Sequence, residues 1–503
     1  MKDTSIPREL FSKAPPPPSE AYNPEVRHVG YFGEAIRRFV RHGASRIALC
    51  VIAIIALFSL VAPLVIPRDE SVMDPYYAKL PPRVAASAEG MGLLHGEVRR
   101  RLGGEGLTGL AAIAIGAAEN DGATLALAMG EKYSPIIDIG EAEGRIRPVK
   151  IDAYLEVGFV YKSVTREEYE LIIKWQEESG ERVLFPLVAD NEFCPDIKDA
   201  NMWYKADSDG FALKKGDTGY EKVAFSEEMT LEDNYMYDTE GNPMYSAPTG
   251  RGDALRVRVL YYNYYRYKNG AEPDYIFGTD SQGYDLALRV AGGIRVSLLL
   301  AIVVSLINFL IGALVGAVEG YYGGAVDLAI ERVTDILSGV PFIVVATLFQ
   351  IYLSDRVGAI PSLLFAFVLT GWLGTANRVR AQFYRYKSAE YVLAARSMGA
   401  SDARIMWRHI FPNTLGTLIT ASALAIPGVI FTESMLSFLG IVNLGAEGIT
   451  SLGTLLSDAS GIWVNYPHLM MAPALIISLL MISFNLIGNG LREAFNPSMK
   501  GDG

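Results

Sequence analysis

The stretch EYVLAARSMGASDARIMWRHIFPN, residues 390–413, says most about the fold of this chain. It is polar and basic, yet long apolar runs lie on both sides of it. Residues 390–398 have the composition of a short helix, and Gly399 can end that helix without a Cβ penalty. Ser401 or Asp402 can then cap a second helix. We therefore predict a helix–turn–helix loop between two apolar spans.

The apolar residues, 50% of the 503, are concentrated in long runs. Each run is close to the roughly 17–25 residues that a helix needs to cross a bilayer. We therefore predict an all-α polytopic membrane protein with six transmembrane helices. The predicted spans are Ile47–Ile66, Val296–Val318, Val333–Leu353, Ile360–Ala376, Leu415–Phe431 and Leu469–Ile487. A long polar segment precedes the first span, which is expected to be retained as an anchor rather than cleaved.

The distribution of Lys and Arg predicts the orientation of these spans, because cytoplasmic loops carry an excess of positive charge. Basic residues cluster just before the first span and again between the fourth and fifth, whereas residues 445–467 almost lack them. Six spans then place both termini and the 390–413 loop in the cytoplasm. We expect a multi-pass protein of a bacterial-type cytoplasmic (inner) membrane, with residues 67–295 largely extracytoplasmic.

The net charge of −11 arises between the first two spans, where residues 68–277 hold 37 acidic and 24 basic residues. The length and acidity of this segment predict an inserted extracytoplasmic domain. Its patterns are of mixed type, which predicts an α+β fold. Thr165 opens a helix that ends at Gly180, while Arg182–Val188 and Leu255–Tyr265 have the composition of strands.

Three further features of the insert bear on its core. Leu107–Ala118 is apolar but too short to span a bilayer, so we assign it to the interior. The tyrosines between residues 261 and 267 could form an aromatic contact surface, although strand propensity is the simpler explanation. Cys50 lies in the first span and Cys194 in the insert, so no intrachain disulfide is expected.

Several motifs resemble one transporter family. Ala394-Ala395, Gly399 and Pro412 keep the spacing of the loop by which ABC importer permeases hold their ATPase. The RHIFPN ending and the turn at Gly399 resemble the dipeptide/oligopeptide (peptide/nickel) transport family. Further matches are the stretch Phe277–Leu298, the turn at Gly320–Gly324, the segment Glu433–Gly440 and the carboxy-terminal Gly488–Pro497. The resemblance covers residues 31–66 weakly and 277–497 well, and it leaves the insert unexplained.

The resemblance implies a division of the chain into five parts, with an ABC type I importer permease-like fold. They are 1–46, a cytoplasmic tail with an interfacial helix; 47–66, the first span; 67–277, the insert; 278–497, a five-helix permease core with the docking loop 385–413; and 498–503, a cytoplasmic tail. Within the loop, Leu393 stands where the family often has an acid.

The resemblance also implies a transport subunit rather than an enzyme, with no catalytic residue, metal or nucleic-acid site. The expected partners are a homologous second permease subunit, two ABC ATPase subunits, an extracytoplasmic solute-binding protein, a peptide substrate and the bilayer. The chain lacks a phosphate loop, so ATP and Mg are expected on the ATPases. The candidate docking residues are Glu390, Ala394, Ala395, Gly399, Ala400, Ser401, Arg404, Arg408, His409 and Pro412.

Glu433 and Ser437 are candidates for the substrate pathway. A carboxylate near the hydrocarbon is costly and therefore a functional candidate. Glu433 could meet the ammonium group of a peptide, or it could cap the following helix or pair within the bundle. Two other functions stay open: import of nickel or another small solute by the same machinery, and a membrane-anchored receptor or enzyme whose working part is residues 68–277.

Overall fold

The computed structural model describes residues 31–84, 94–118, 124–188, 200–201, 213–216, 219–222, 235–250 and 253–495. The predictions made for residues 1–30, Cys194, Pro497 and the tail 498–503 lie outside these residues.

The described chain begins with two helices, α1 (Tyr31–Arg41) and α2 (Gly43–Val65), which meet at His42. The His42 backbone is extended, and its Nδ1 accepts a hydrogen bond from the Ser45 backbone N–H, which caps α2. α2 is apolar on every side and leaves large side chains such as Leu57 and Leu64 exposed. That pattern is typical of a helix surrounded by lipid.

Residues 66–285 contain, within the described ranges, four α-helices, the 3-10 helix Pro75–Tyr77 and nine strands, all of which pair antiparallel. The helices are α3 (Gly104–Ala117), α4 (Leu125–Ala128), α5 (Arg166–Ser179) and α6 (Tyr261–Asn269). The strands are β1 (Glu97–Leu102), β2 (Ile136–Ile139), β3 (Arg147–Asp152), β4 (Phe159–Val164), β5 (Leu184–Phe185), β6 (Leu213–Gly216), β7 (Gly219–Lys222), β8 (Ser246–Pro248) and β9 (Leu255–Leu260). They form the sheets β1-β3-β2, β4-β9-β5 with β8 on β9, and β6-β7.

Two apolar cores hold this segment together. The first joins α3 to the sheet β1-β3-β2 and buries Leu107, Ile136 and Ile151, so the apolar run near residue 110 is interior, as predicted. The second joins α5 and α6 to the sheet around β9. The predicted α5 is confirmed at both ends: Thr165 Oγ1 accepts a hydrogen bond from the Glu168 N–H, and Gly180 adopts the left-handed conformation.

The predicted strand Leu255–Tyr265 is wrong beyond Leu260, because its partner β4 begins at Phe159, which pairs with Leu260. The tyrosines that follow form α6, so strand propensity does not explain them. Instead Tyr261 and Tyr265 pack on the buried ring of Tyr77. The other predicted strand, 182–188, is also shorter: it pairs with β9 over β5, and beyond it Val188 forms an isolated bridge with Tyr235.

Ten α-helices, with the 3-10 helix Leu444–Glu447 and a π-helical turn, form most of the rest of the described chain. They are α7 (Leu286–Tyr322), α8 (Gly324–Ser338), α9 (Phe342–Val357), α10 (Ala359–Gly371), α11 (Leu373–Tyr386), α12 (Glu390–Ser397), α13 (Asp402–Arg404), α14 (Phe411–Phe438), α15 (Leu452–Ser460) and α16 (Pro467–Ala494). In the described residues, five helical segments are long and apolar enough to cross a membrane, and α8 with α9 makes a sixth if the bent pair is one span.

α7 and α11 run parallel, and glycines on α7 allow their backbones to approach closely. The contacts advance in the same direction along both helices: Gly312 with Trp372, Gly316 with Ala376, and Gly320 with Arg380. Parallel neighbours in one chain need a return path between them. The bent pair α8–α9 lies between them in the chain, and it supplies that path if the two helices form one span.

The third predicted span, Val333–Leu353, is not continuous. α8 and α9 meet at an angle of 75°, around the residues Gly339, Val340 and Pro341. Pro341 disfavours helical backbone at the residue before it and has no N–H to continue the ladder. The segment is apolar, as predicted, but it forms two helices and not the single predicted helix.

Candidate docking site at the 390–413 loop

The turn at Gly399 has the geometry that the sequence predicts. Gly399 has φ of +82°, and its N–H donates to the Arg396 carbonyl at 3.0 Å. The Ala400 N–H donates to the Ala395 carbonyl at 3.1 Å. These two bonds form a Schellman motif, which satisfies the last carbonyls of α12 and reverses the chain.

The second arm of the loop is continuous with the next span. α13 passes through a π-helical turn, Ile405–Ile410, into α14, and together they form one helix of 37 residues. Pro412 lacks an N–H and would clash with the carbonyl of Arg408 in a regular α-helix. The wider turn relieves that clash without ending the helix. The helix that contains the fifth span therefore begins at Asp402, earlier than the predicted Leu415.

One side of the loop packs against the bundle. Val392 and Ile405 are fully buried, and Ala395 nearly so. They belong to a cluster that includes Phe383 of α11 and Leu418 of α14. The loop is therefore held by apolar packing on three spans.

Tyr321, at the end of α7, ties the two arms of the loop together. Its hydroxyl donates to Asp402 Oδ1 at 2.5 Å and accepts from Arg396 Nη2 at 3.2 Å. Lys387 Nζ adds a bond to the Gly320 carbonyl at 3.1 Å. The sequence indicates Tyr321 only as part of a turn. Its partners Arg396 and Asp402 are more than 70 residues away, so no local pattern predicts these bonds.

The exposed side of the loop differs in part from the predicted docking set. Glu390, Arg404 and Arg408 are exposed, as are Ala394, Gly399 and Ser401, while Ala400, His409 and Pro412 are half-buried. Ala395 faces the bundle, so the two alanines do not form one outward face. Consecutive helix residues are about 100° apart, which separates them.

The predicted cap of the second arm is also not formed. Ser401 stands at the N-cap position without a side-chain capping bond, and Asp402 accepts from Tyr321 instead.

Three apolar side chains on the exposed side were missed. Met398 is 82% exposed, and Leu393 and Trp407 are 48% and 39% exposed. Leu393 stands where the family often has an acid, so this position carries an exposed apolar side chain instead of a charge. Exposed apolar side chains next to arginines are typical of a protein contact surface. We call this set, with Arg404 and Arg408, the loop surface.

A charged network lies next to Tyr321, at the same end of the bundle as the loop surface. Arg380 Nε and Nη2 donate to the two carboxylate oxygens of Asp327 at 2.6 and 2.9 Å. Arg380 Nε also lies 3.3 Å from Glu319, which is fully buried. Arg380 Nη1 lies 3.4 Å from Glu331 Oε1, so a third carboxylate belongs to the network. Arg380 is therefore the cation that joins α7, α8 and α11 at this end of the bundle.

At the other end of α14, Glu433 is 1% exposed and Ser437 2%. Ser297 Oγ and Ser437 Oγ donate to the Glu433 carboxylate at 3.1 and 3.0 Å. Ser297 also accepts from the Leu452 N–H at the start of α15. Glu433 therefore joins three helices within the bundle, and it does not line an open path in this chain. This geometry is that of the alternative, pairing within the bundle, and the assignment of Glu433 and Ser437 to the substrate pathway stays a prediction.

Replacing Glu433 by glutamine is expected to lower the stability of the protein by about 1–3 kcal/mol, because hydroxyl donors lose their carboxylate acceptor. Thermal unfolding in detergent measures this effect. Uptake of a free-amine peptide and its N-acetylated twin should keep the wild-type preference. A variant that loses the preference at unchanged stability would return Glu433 to the substrate path.

Two protein families match parts of this chain. The family "Binding-protein-dependent transport system inner membrane component" matches residues 308–501, and "N-terminal TM domain of oligopeptide transport permease C" matches residues 30–82. The two matches lie on either side of the insert. They define the chain as a membrane component of a binding-protein-dependent transport system.

Curated relatives agree with these matches. The oligopeptide transport system permease protein OppC of Escherichia coli (strain K12) is 41% identical over 45% of this chain and 73% of its own length. The dipeptide transport system permease protein DppC of Lactococcus lactis subsp. cremoris (strain MG1363) is 36% identical over 45% of this chain and 65% of its own length. The glutathione transport system permease protein GsiD of Escherichia coli O6:K15:H31 is 36% identical over 48% of this chain and 78% of its own length. The chain belongs to the family of dipeptide and oligopeptide ABC transport permeases.

Among solved structures, an inward-facing form of the MetNI methionine ABC transporter superposes with a TM-score of 0.34 and 17% identity. It covers 41% of this chain and 94% of the other.

Proposed function

We propose that this chain is one of two membrane subunits of an ATP-driven importer and that its loop surface binds an ATPase subunit. The observation that carries the proposal is the loop itself. It presents Leu393, Met398 and Trp407 on the outside, while Tyr321 and a buried apolar face fix it to three spans. Because the loop is fixed to three spans, a force that a partner applies to this surface would be transmitted to the bundle. A homologous second permease would complete the pathway.

The cargo follows from the relatives and not from a site in this chain. The three relatives are named for oligopeptide, dipeptide and glutathione transport, and all of these solutes contain peptide bonds. A di- or oligopeptide is therefore the proposed substrate, delivered by a solute-binding protein. Uptake measured with a peptide series and with nickel separates this cargo from the metal alternative.

The orientation of the chain is part of the proposal. The start of α2 and the end of α16 lie together, since His42 Nε2 is 3.5 Å from Glu493. The loop surface is at the same end of the bundle, because Phe495 packs on Gly416 near the start of α14. Positive charge near these segments favours the cytoplasm. The insert, at the opposite end, is then extracytoplasmic, and ATP and Mg belong to the partner ATPases.

Replacing Gly399 by valine tests the docking role, with Gly440 as a matched control. Both glycines have positive φ, both follow a helix, and both have open space where a Cβ would stand. Valine should strain each turn by about 1–2 kcal/mol. We expect Gly399→Val to reduce co-purification of the ATPase and peptide uptake, and Gly440→Val to leave ATPase recovery unchanged.

The comparison separates docking from general strain. Equal ATPase recovery from the two variants would contradict the proposed role of the loop surface. Met398→Glu adds an independent measurement, because a charge on the most exposed apolar side chain should weaken an apolar contact without straining the turn.

A further inference from the structure

A cavity of about 440 Å³ lies where the insert meets the first two spans. Its walls come from three parts of the chain: the segment 67–76 after α2, the insert, and the segment 275–285 before α7. The insert contributes Lys162 of β4 and five residues of α6, from Tyr261 to Asn269. The cavity is within the size range of small-molecule sites in proteins, roughly 300–1,000 Å³.

Lys162 is the central cation of this cavity. Its ammonium lies 4.3 Å from the ring centre of Tyr76, 5.1 Å from that of Tyr261 and 5.5 Å from that of Tyr264. Among the residues that the structure describes, no carboxylate lies within ion-pair distance of Lys162 and its ammonium makes no hydrogen bond. Burial lowers the pKa of Lys162, and Asp74 acts against that shift from a greater distance. A partly desolvated ammonium on three aromatic faces thus lacks an anion.

The other charged groups of the cavity have partners. Arg68 pairs with Asp285 at 3.2 Å and donates to the Tyr265 hydroxyl at 3.1 Å. Lys268 pairs with Glu168.

The two remaining acids of the cavity are also engaged. Asp74 accepts from the Tyr261 hydroxyl at 2.8 and 2.7 Å, and Asp69 accepts from Ser71 at 2.9 Å. The negative group of an added anion would therefore pair with the Lys162 ammonium, and an apolar part of the same molecule would contact the tyrosine rings.

We propose that this cavity binds a small organic carboxylate, with the carboxylate on Lys162 and an apolar part against Tyr76, Tyr261 and Tyr264. A single ammonium suits a monoanion, whereas phosphate recognition usually employs a guanidinium fork or several N–H donors. The site is formed jointly by β4 and α6 of the insert, the segment 67–76 that follows α2 and the segment 275–285 that precedes α7, so the bound carboxylate ties the insert to the membrane bundle. The inference does not depend on transport or on ATPase docking.

Isothermal titration of the full chain in detergent tests the proposal with two probes of the same shape. N-acetylphenylalanine carries a carboxylate at neutral pH, and its carboxamide does not. The acid should bind about tenfold more tightly or better, as a charge-assisted hydrogen bond requires. Lys162→Met should abolish the preference. Lys174→Met is the matched control, because Lys174 is an exposed lysine of α5 outside the cavity.

Lys162→Arg keeps the cation and should keep the preference for the acid, which gives a second measurement if the methionine variant does not fold. Equal affinity for acid and amide would overturn the proposal, as would a preference that survives Lys162→Met. Inorganic phosphate that binds as tightly as the acid would overturn the carboxylate assignment in favour of a phosphate site.

Discussion

Replacing Arg380 by methionine is expected to destabilise the protein by about 3 kcal/mol, the lower end of the range for breaking a buried ion pair. The variant removes the cation shared by Glu319, Asp327 and Glu331. Glu319 is fully buried, and within the described residues its carboxylate oxygens accept no hydrogen bond. Without Arg380 its charge would stay uncompensated. Thermal unfolding in detergent measures the loss.

Arg332→Met is the control for this prediction. Arg332 pairs with Asp335 at 3.1 Å on α8, where both side chains are more than half exposed, so its loss should cost at most about 0.5 kcal/mol. Arg380→Lys keeps the charge without the two-pronged contact to Asp327 and should fall between the two. Equal effects of Arg380→Met and Arg332→Met would show that the network adds no stability.

Replacing Gly316 by alanine is expected to destabilise the α7–α11 contact by about 1–3 kcal/mol, and valine by more. A Cβ at Gly316 would overlap the carbonyl oxygen of Ala376 and lie 2.9 Å from its carbonyl carbon. These are backbone atoms of a buried helix, which cannot rotate away. The helices would have to separate.

Gly374→Ala is the control, and it should change the stability of the protein in the opposite direction. Gly374 lies on α11, and a Cβ there meets nothing within 4 Å. Alanine has a higher helix propensity than glycine by about 1 kcal/mol, so this variant should be neutral or more stable. Thermal unfolding of both variants decides the point. A stable Gly316→Ala protein would mean that α7 and α11 can separate without loss.

Local signals in the sequence predicted local structure well. Thr165 and Gly180 bound α5 because capping and left-handed termination depend on a few neighbouring residues. The same reason explains Gly399, whose turn is formed by bonds within six residues. Hydropathy likewise located the spans, since crossing a bilayer depends on length and composition.

Predictions failed where a distant partner decides the outcome. β9 ends at Leu260, opposite Phe159. The next partner residue, Gly158, has φ of +61°, which turns the chain out of strand geometry although its carbonyl still accepts from the Tyr261 N–H, and tyrosine is compatible with either structure. The inward side of α12 is set by packing on α7, α11 and α14, so periodicity alone could not tell Ala394 from Ala395. The break at Gly339–Pro341 was different, because Gly and Pro are known interruptions that the apolar run obscured.

The helix from Asp402 to Phe438 is about 55 Å long at 1.5 Å per residue, and it behaves as a lever. α16 packs against its middle, where Gly488 leaves no space for a Cβ beside Leu424. The close contact at Leu424 acts as a fulcrum with unequal arms, about 30 Å to Arg404 and about 14 Å to Glu433 at 1.5 Å per residue. A tilt imposed at Arg404 would move Glu433 by about half that distance in the opposite direction. Movement would reach the far side of the bundle reduced, with its direction reversed.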